Sequence, residues 1–101
     1  MKREYLIYLS ATERYRHRHN RTGKEISGFS IQYEILHEDK WQPVVRYDST
    51  HGFAHRDIYH KNGEITKTPL FIQDLNDALT FTEEDLKTNY KKYKEYFLKG
   101  E

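Results

Sequence analysis

Within twelve positions, Arg46-Tyr47-Asp48-Ser49-Thr50-His51-Gly52-Phe53-Ala54-His55-Arg56-Asp57, the chain gathers two His, two Asp, two Arg and one Tyr. An imidazole beside carboxylates and a guanidinium can perform general acid–base chemistry on an anionic substrate. In this reading His55 is the acid or base, with His51 a second imidazole nearby. Asp48 or Asp57 orients His55, and Arg46 clamps a phosphate or carboxylate. Cleavage of RNA needs no more than such groups, so neither a cofactor nor a metal is called for.

Geometry decides whether these residues meet. A hairpin of Val44–Asp48 and Phe53–Tyr59, closed by Ser-Thr-His-Gly, sets Asp48 opposite Phe53, Arg46 opposite His55 and Val44 opposite Asp57. Alternation then turns Arg46, Asp48, His55 and Asp57 to one face, and Val45, Tyr47, Ala54 and Ile58 to the other. Changing the loop by one residue alters the cross-strand partners, but Arg46/Asp48 and His55/Asp57 remain same-side pairs. The plainer alternative is a salt-bridged, solvated sheet face. A metal site of His51, His55 and His60 is disfavoured, because His60 alternates away from His55 and Gly52 argues against a helix there.

A second candidate is Arg14-Tyr15-Arg16-His17-Arg18-His19-Asn20-Arg21. Arg14, Arg16, Arg18 and Arg21, interleaved with Tyr and His, suit phosphate contacts and base stacking on single-stranded RNA. The alternative is a charged, solvated hairpin tip. This segment lies in a polar, basic zone at 10–28, with a turn at Asn20, Thr22 and Gly23, read as an exposed connection or as the distal ends of two long strands.

The remaining elements must hold these groups in place. Residues 3–9, REYLIYL, read as a first strand, and Phe29, Ile31, Tyr33 and Ile35 alternate with Ser30, Gln32 and Glu34. WQPVVRYD and FAHRDIYH follow, then a hairpin signal at Asn62-Gly63 and a strand-like EITKT ended by Pro69. Leu75, Leu79, Leu86, Tyr90, Tyr93 and Phe97 share one helical stripe over about 74–98. Thr82 occupies a gap in that stripe, so the helix either continues from about Asp74 or restarts there, and the capping character of Thr82 with Asp85 supports the restart. Acidic residues lead this segment and lysines follow, in keeping with the helix dipole. The expected fold is α+β: an antiparallel meander of four to five strands within 3–68, under a long C-terminal helix.

The chain has 101 residues, enough for one domain spanning 1–101, and 36% are apolar, with nine Tyr and five Phe. It has no Cys, which excludes disulfides, thiolate metal sites and cysteine nucleophiles. Its longest apolar runs are four or five residues, so neither a membrane span nor a signal peptide is expected, and a cytoplasmic location is. The net charge of +1 divides unevenly: residues 1–24 carry seven basic and two acidic side chains, and the rest carry ten and fourteen. A uniformly basic surface is excluded, whereas a local anion-binding segment is not.

The run VVRYDSTHGFAHRDIYHKNG at 44–63, with the helix ending DLKTNYKKYKEYF, resembles a family of small uncharacterised archaeal and bacterial proteins. The shared core is Arg-Tyr-Asp, two residues, His-Gly, two residues, His, one residue, Asp, and the resemblance spans 29–98. That family implies the fold and the location of a site. Tyr47, Asp48, His51 and His55 also resemble the TumE-type toxins of minimal toxin–antitoxin pairs, which implies an RNA-directed toxin with a small, antitoxin-like protein partner. The leading expectation is an RNA- or phosphate-directed protein, with enzymatic activity left open. The rival is a non-catalytic binding or self-assembly module, such as a homodimer, that uses the charged sheet face or an edge.

Overall fold

A computed structural model describes residues 1–50 and 52–100. Six strands run in chain order: β1 (Lys2–Ser10), β2 (Glu13–Thr22), β3 (Glu25–His37), β4 (Lys40–Asp48), β5 (His55–Tyr59) and β6 (Ile65–Pro69). They form one antiparallel sheet in the order β1-β2-β3-β4-β5-β6, followed by α1 (Leu75–Lys99). The architecture is therefore the expected α+β meander with a C-terminal helix, but with six strands rather than four to five.

The difference lies in the basic zone. Residues 13–22 are strand β2, hydrogen-bonded on both sides between β1 and β3. Neither reading of 10–28 names this strand: 13–22 stand between turns at 11–12 and 23–24 as a strand of their own, and only 25–28 are the end of a long strand, β3. Apolar content misleads here because β2 buries polar groups instead: Arg14, His17 and His19 are all inside. Only the tight turn at Gly23, with φ +64°, matches the expected break, since a left-handed residue there favours glycine.

The helix lies over β3 and β4. Phe29, Ile31, Tyr33 and Ile35 of β3 and Val45 and Tyr47 of β4 form the sheet side of the core; Ala78, Leu79, Leu86, Tyr93 and Phe97 form the helix side. Asp74 caps the helix by accepting from the Asn76 and Asp77 amides, and Gly100 ends it in the left-handed conformation. The helix is continuous through Thr82, which is fully buried on the stripe rather than serving as a cap. A Thr methyl is apolar enough for that position, and Asp85 is engaged elsewhere.

Candidate functional site on the open sheet face

Because the helix covers one face, residues alternating away from it share the other. Register assembles two cross-strand rows there. The first is Leu6, Arg16, Gln32, Arg46, Asp57 and Lys67; the second is Glu4, Arg18, Ser30, Asp48, His55 and Pro69. The β4–β5 pairing sets Arg46 opposite Asp57 and Asp48 opposite His55, two residues away from the expected register. A shift of two preserves side-chain parity, so Arg46, Asp48, His55 and Asp57 still share a face. The six-residue connection 49–54 is longer than the four-residue turn expected. His51 lies outside the described residues.

The two carboxylates are held differently. Asp48 is buried; it accepts from Arg46 Nη2 at 2.6 Å, from the Thr50 amide at 2.5 Å and from the Thr50 hydroxyl. Burial by itself would raise its pKa, but the Thr50 and Arg46 contacts outweigh that and hold the carboxyl below its ordinary value. Asp57 Oδ1 lies 3.7 Å from His55 Nε2, an ion-pair separation rather than a hydrogen bond, and Lys67 Nζ stands 3.4 Å from Asp57. Asp57 is thus the carboxylate nearest the imidazole, while Asp48 serves Arg46 and the loop. Arg46 is held by Asp48, whose charge outweighs burial and raises the guanidinium pKa above its ordinary value.

The basic residues separate by neighbour. Arg14 is used internally: its Nε bonds Glu34 at 2.7 Å, and its guanidinium lies 3.9 Å over the Trp41 ring. Arg16 shares Glu34 at 3.1 Å, but its side chain is 57% exposed. Arg18 is exposed, with no ion-pair partner among the described residues. Arg21 leaves this set, because a bulge at Asn20/Arg21 places it opposite buried Ile26, and it bonds the Lys24 carbonyl. Arg16, Arg18 and Arg46 line a shallow depression of ≈ 340 Å³ floored by Ser30 and Gln32. Arg46 and Asp57 are cross-strand partners, so His55 borders the same polar band. Among the described residues no three His, Asp or Glu gather as a metal site.

Sequence reasoning missed Gln32 and Glu34, the residues that set the arginines. Their alternation with Ile31, Tyr33 and Ile35 could have placed them on this face. It also missed a buried cluster on the opposite face. Asp85 Oδ2 accepts from Tyr47 Oη at 2.5 Å and Tyr93 Oη at 2.7 Å, Oδ1 accepts from Asn89 at 2.9 Å, and Arg56 Nη1 lies 3.4 Å from Oδ2. Burial would raise the Asp85 pKa, but the bonds from Tyr47, Tyr93 and Asn89 and the charge of Arg56 hold it below the ordinary value. No local sequence signal joins residues this far apart.

The chain belongs to a family whose model, Domain of unknown function (DUF7718), matches residues 1–101. No curated protein and no solved structure matches it. Among the described residues no helix is long and apolar enough to cross a membrane.

Proposed function

For a chain of this family, we propose that the open sheet face binds single-stranded RNA and that His55 supports cleavage of the bound strand. One observation carries the reading: Arg16, Arg18 and Arg46 line one depression, and on the same sheet face Asp57 stands opposite Arg46 with His55 beside it. Guanidiniums that can give two parallel hydrogen bonds suit phosphate oxygens, and a flat sheet face leaves bases free to lie across it. Two strand spacings separate Arg16 from Arg46, about 10 Å, so one strand of RNA can touch both.

In the cleavage step, His55 takes the proton of a ribose 2′-hydroxyl. The 2′-oxygen bonds to phosphorus, the P–O5′ bond breaks, and the 5′-oxygen leaves with a proton from water. Arg46, already fixed by Asp48, faces the charge that builds on the phosphoryl oxygens. Asp57 steadies the imidazolium that forms. Such an activity is the one that the resemblance of Tyr47, Asp48, His51 and His55 to the TumE-type toxins implies. The Lys67–Asp57 ion pair favours a second reading, in which the face binds without cleaving.

A labelled single-stranded RNA separates the readings. Arg18→Ala and Arg46→Ala are each expected to weaken binding about tenfold, and the salt dependence should shallow by about 0.7 per lost phosphate contact. His55→Ala is expected to keep binding and abolish cleavage. Affinity unchanged in the Arg18→Ala/Arg46→Ala double variant would refute the RNA face. Cleavage by wild type that survives His55→Ala would refute the assigned chemistry, and binding without cleavage by wild type would establish the second reading.

A further inference from the structure

The two edges of the sheet are built differently. β6 is five residues long and carries Lys67 and Pro69, features that discourage further strand pairing. β1 is nine residues long, has no proline, and is bonded only to β2, so its outer row of backbone N–H and C=O groups has no strand partner among the described residues. Its Tyr5, Leu6, Tyr8 and Leu9 side chains are 40–58% exposed. Because α1 sits over β3 and β4, it leaves the adjacent face of β1 open, along a groove of ≈ 330 Å³ bounded by Tyr5, Leu9, Tyr15, Leu86 and Tyr90. Up to the bulge between Tyr8 and Ser10, this long, largely apolar edge is a template for another strand.

The sequence of that edge identifies the partner. We propose that β1 pairs antiparallel with β1 of a second copy, about a twofold axis at Leu6, to join two sheets into one. In this register Leu6 meets Leu6, Tyr5 meets Ile7, Glu4 meets Tyr8, Arg3 meets Leu9 and Lys2 meets Ser10. The regular stretch Glu4–Tyr8 is used in full, the bulge between Tyr8 and Ser10 falls at the two ends of the seam, apolar side chains meet on both faces, and no like charges stand opposite one another. Shifting by one residue would set each copy's helix-side residues against the other's open-side residues. Parallel, in-register pairing would stack Lys2 on Lys2, Arg3 on Arg3 and Glu4 on Glu4. The twofold keeps both open faces on the same side, so the two Arg16 side chains lie three strand spacings apart, about 14 Å. This assembly stands independently of the RNA reading.

The chain has no Cys, which makes a cross-linking test free of background. Directly paired residues in an antiparallel sheet have Cα atoms about 4.5–5.5 Å apart, within the span of a disulfide. Leu6→Cys is therefore expected to oxidise to a covalent dimer. Ile7→Cys, about 8 Å from its own copy in this register, is expected to remain unlinked. By light scattering, wild type at about 100 µM should have twice the chain mass. Leu6→Lys and Leu6→Glu should each be monomeric with unchanged circular dichroism, and mixing them should restore the dimer. A monodisperse wild-type monomer would overturn the proposal and leave the edge to a strand of another protein. Linkage through Ile7→Cys but not Leu6→Cys would overturn the twofold at Leu6.

Discussion

Replacing Asp85 with Ala should cost more than any surface change on the molecule. The carboxylate accepts from two tyrosine hydroxyls, Tyr47 and Tyr93, which are 0% and 6% exposed. Its removal takes the acceptor from both hydroxyls and the carboxylate from Arg56, whose Nη1 keeps the Tyr93 hydroxyl at 3.0 Å and whose Nε is already buried without a partner among the described residues. Each hydroxyl that loses its acceptor costs about 1–1.5 kcal/mol, and a largely buried guanidinium without its carboxylate adds about 1 kcal/mol, so about 3–4 kcal/mol is expected. At about 4–8 °C per kcal/mol for a domain of this size, Tm should fall by roughly 12–30 °C. Tyr47→Phe removes one donor and keeps the acceptor, and should cost about 1 kcal/mol. Urea titrations followed by the fluorescence of Trp41, the single tryptophan, measure both. Acid supplies a control: because the folded Asp85 carboxyl titrates below its unfolded value, its contribution is complete above about pH 4 and is lost as pH falls through the lower, folded pKa. The gap between wild type and Asp85→Ala should therefore narrow in acid. A loss under 1 kcal/mol at neutral pH, or a gap that persists fully in strong acid, would refute the view that this cluster joins helix to sheet.

Two further predictions test buried polar groups. Thr82 is 0% exposed and its hydroxyl has no partner among the described residues, so Thr82→Val, which keeps the shape, should stabilise the fold by up to about 1 kcal/mol in the same titration. His17 sits 2.8 Å from His19 and stacks on Tyr5 at 4.5 Å; burial first, and His19 second, push its pKa down to about 4. The unfolded chain then binds the extra proton below about pH 6.5, so stability should fall by about 2 kcal/mol between neutral pH and pH 5. His17→Gln should flatten that slope; an unchanged slope would show that His17 does not set it.

The faces of the central hairpin were legible because strand alternation is a local property of the backbone. Arg46/Asp48 and His55/Asp57 stayed on one side even though the observed register differs by two residues from the expected one. The helical stripe was legible for the same reason, and its interruption at Thr82 misled only because hydroxyl polarity counted for more than methyl volume. The Asn62-Gly63 turn also formed as expected, with the Gly63 amide on the His60 carbonyl at 2.9 Å and Gly63 at φ +93°.

What the chain could not declare is which polar groups its own fold would consume. Arg14, Arg16, Arg18 and Arg21 read alike in sequence, yet Glu34 and Trp41 take Arg14, a bulge turns Arg21 away, and only Arg16 and Arg18 join Arg46 at the depression. β2 escaped recognition as an internal strand because it buries arginine and histidine rather than aliphatic side chains, and burying those groups is tolerable only once neighbours supply their hydrogen bonds. Asp85 is the plainest case: it looked like a cap beside Thr82, and the sheet made it the acceptor for Tyr47. Alternation and helical period are written residue by residue, so the sequence determined the two faces and the stripe. Partnership between charges depends on distances across the fold, and only the tertiary structure decided which charges were buried in pairs and which stayed exposed on the open face.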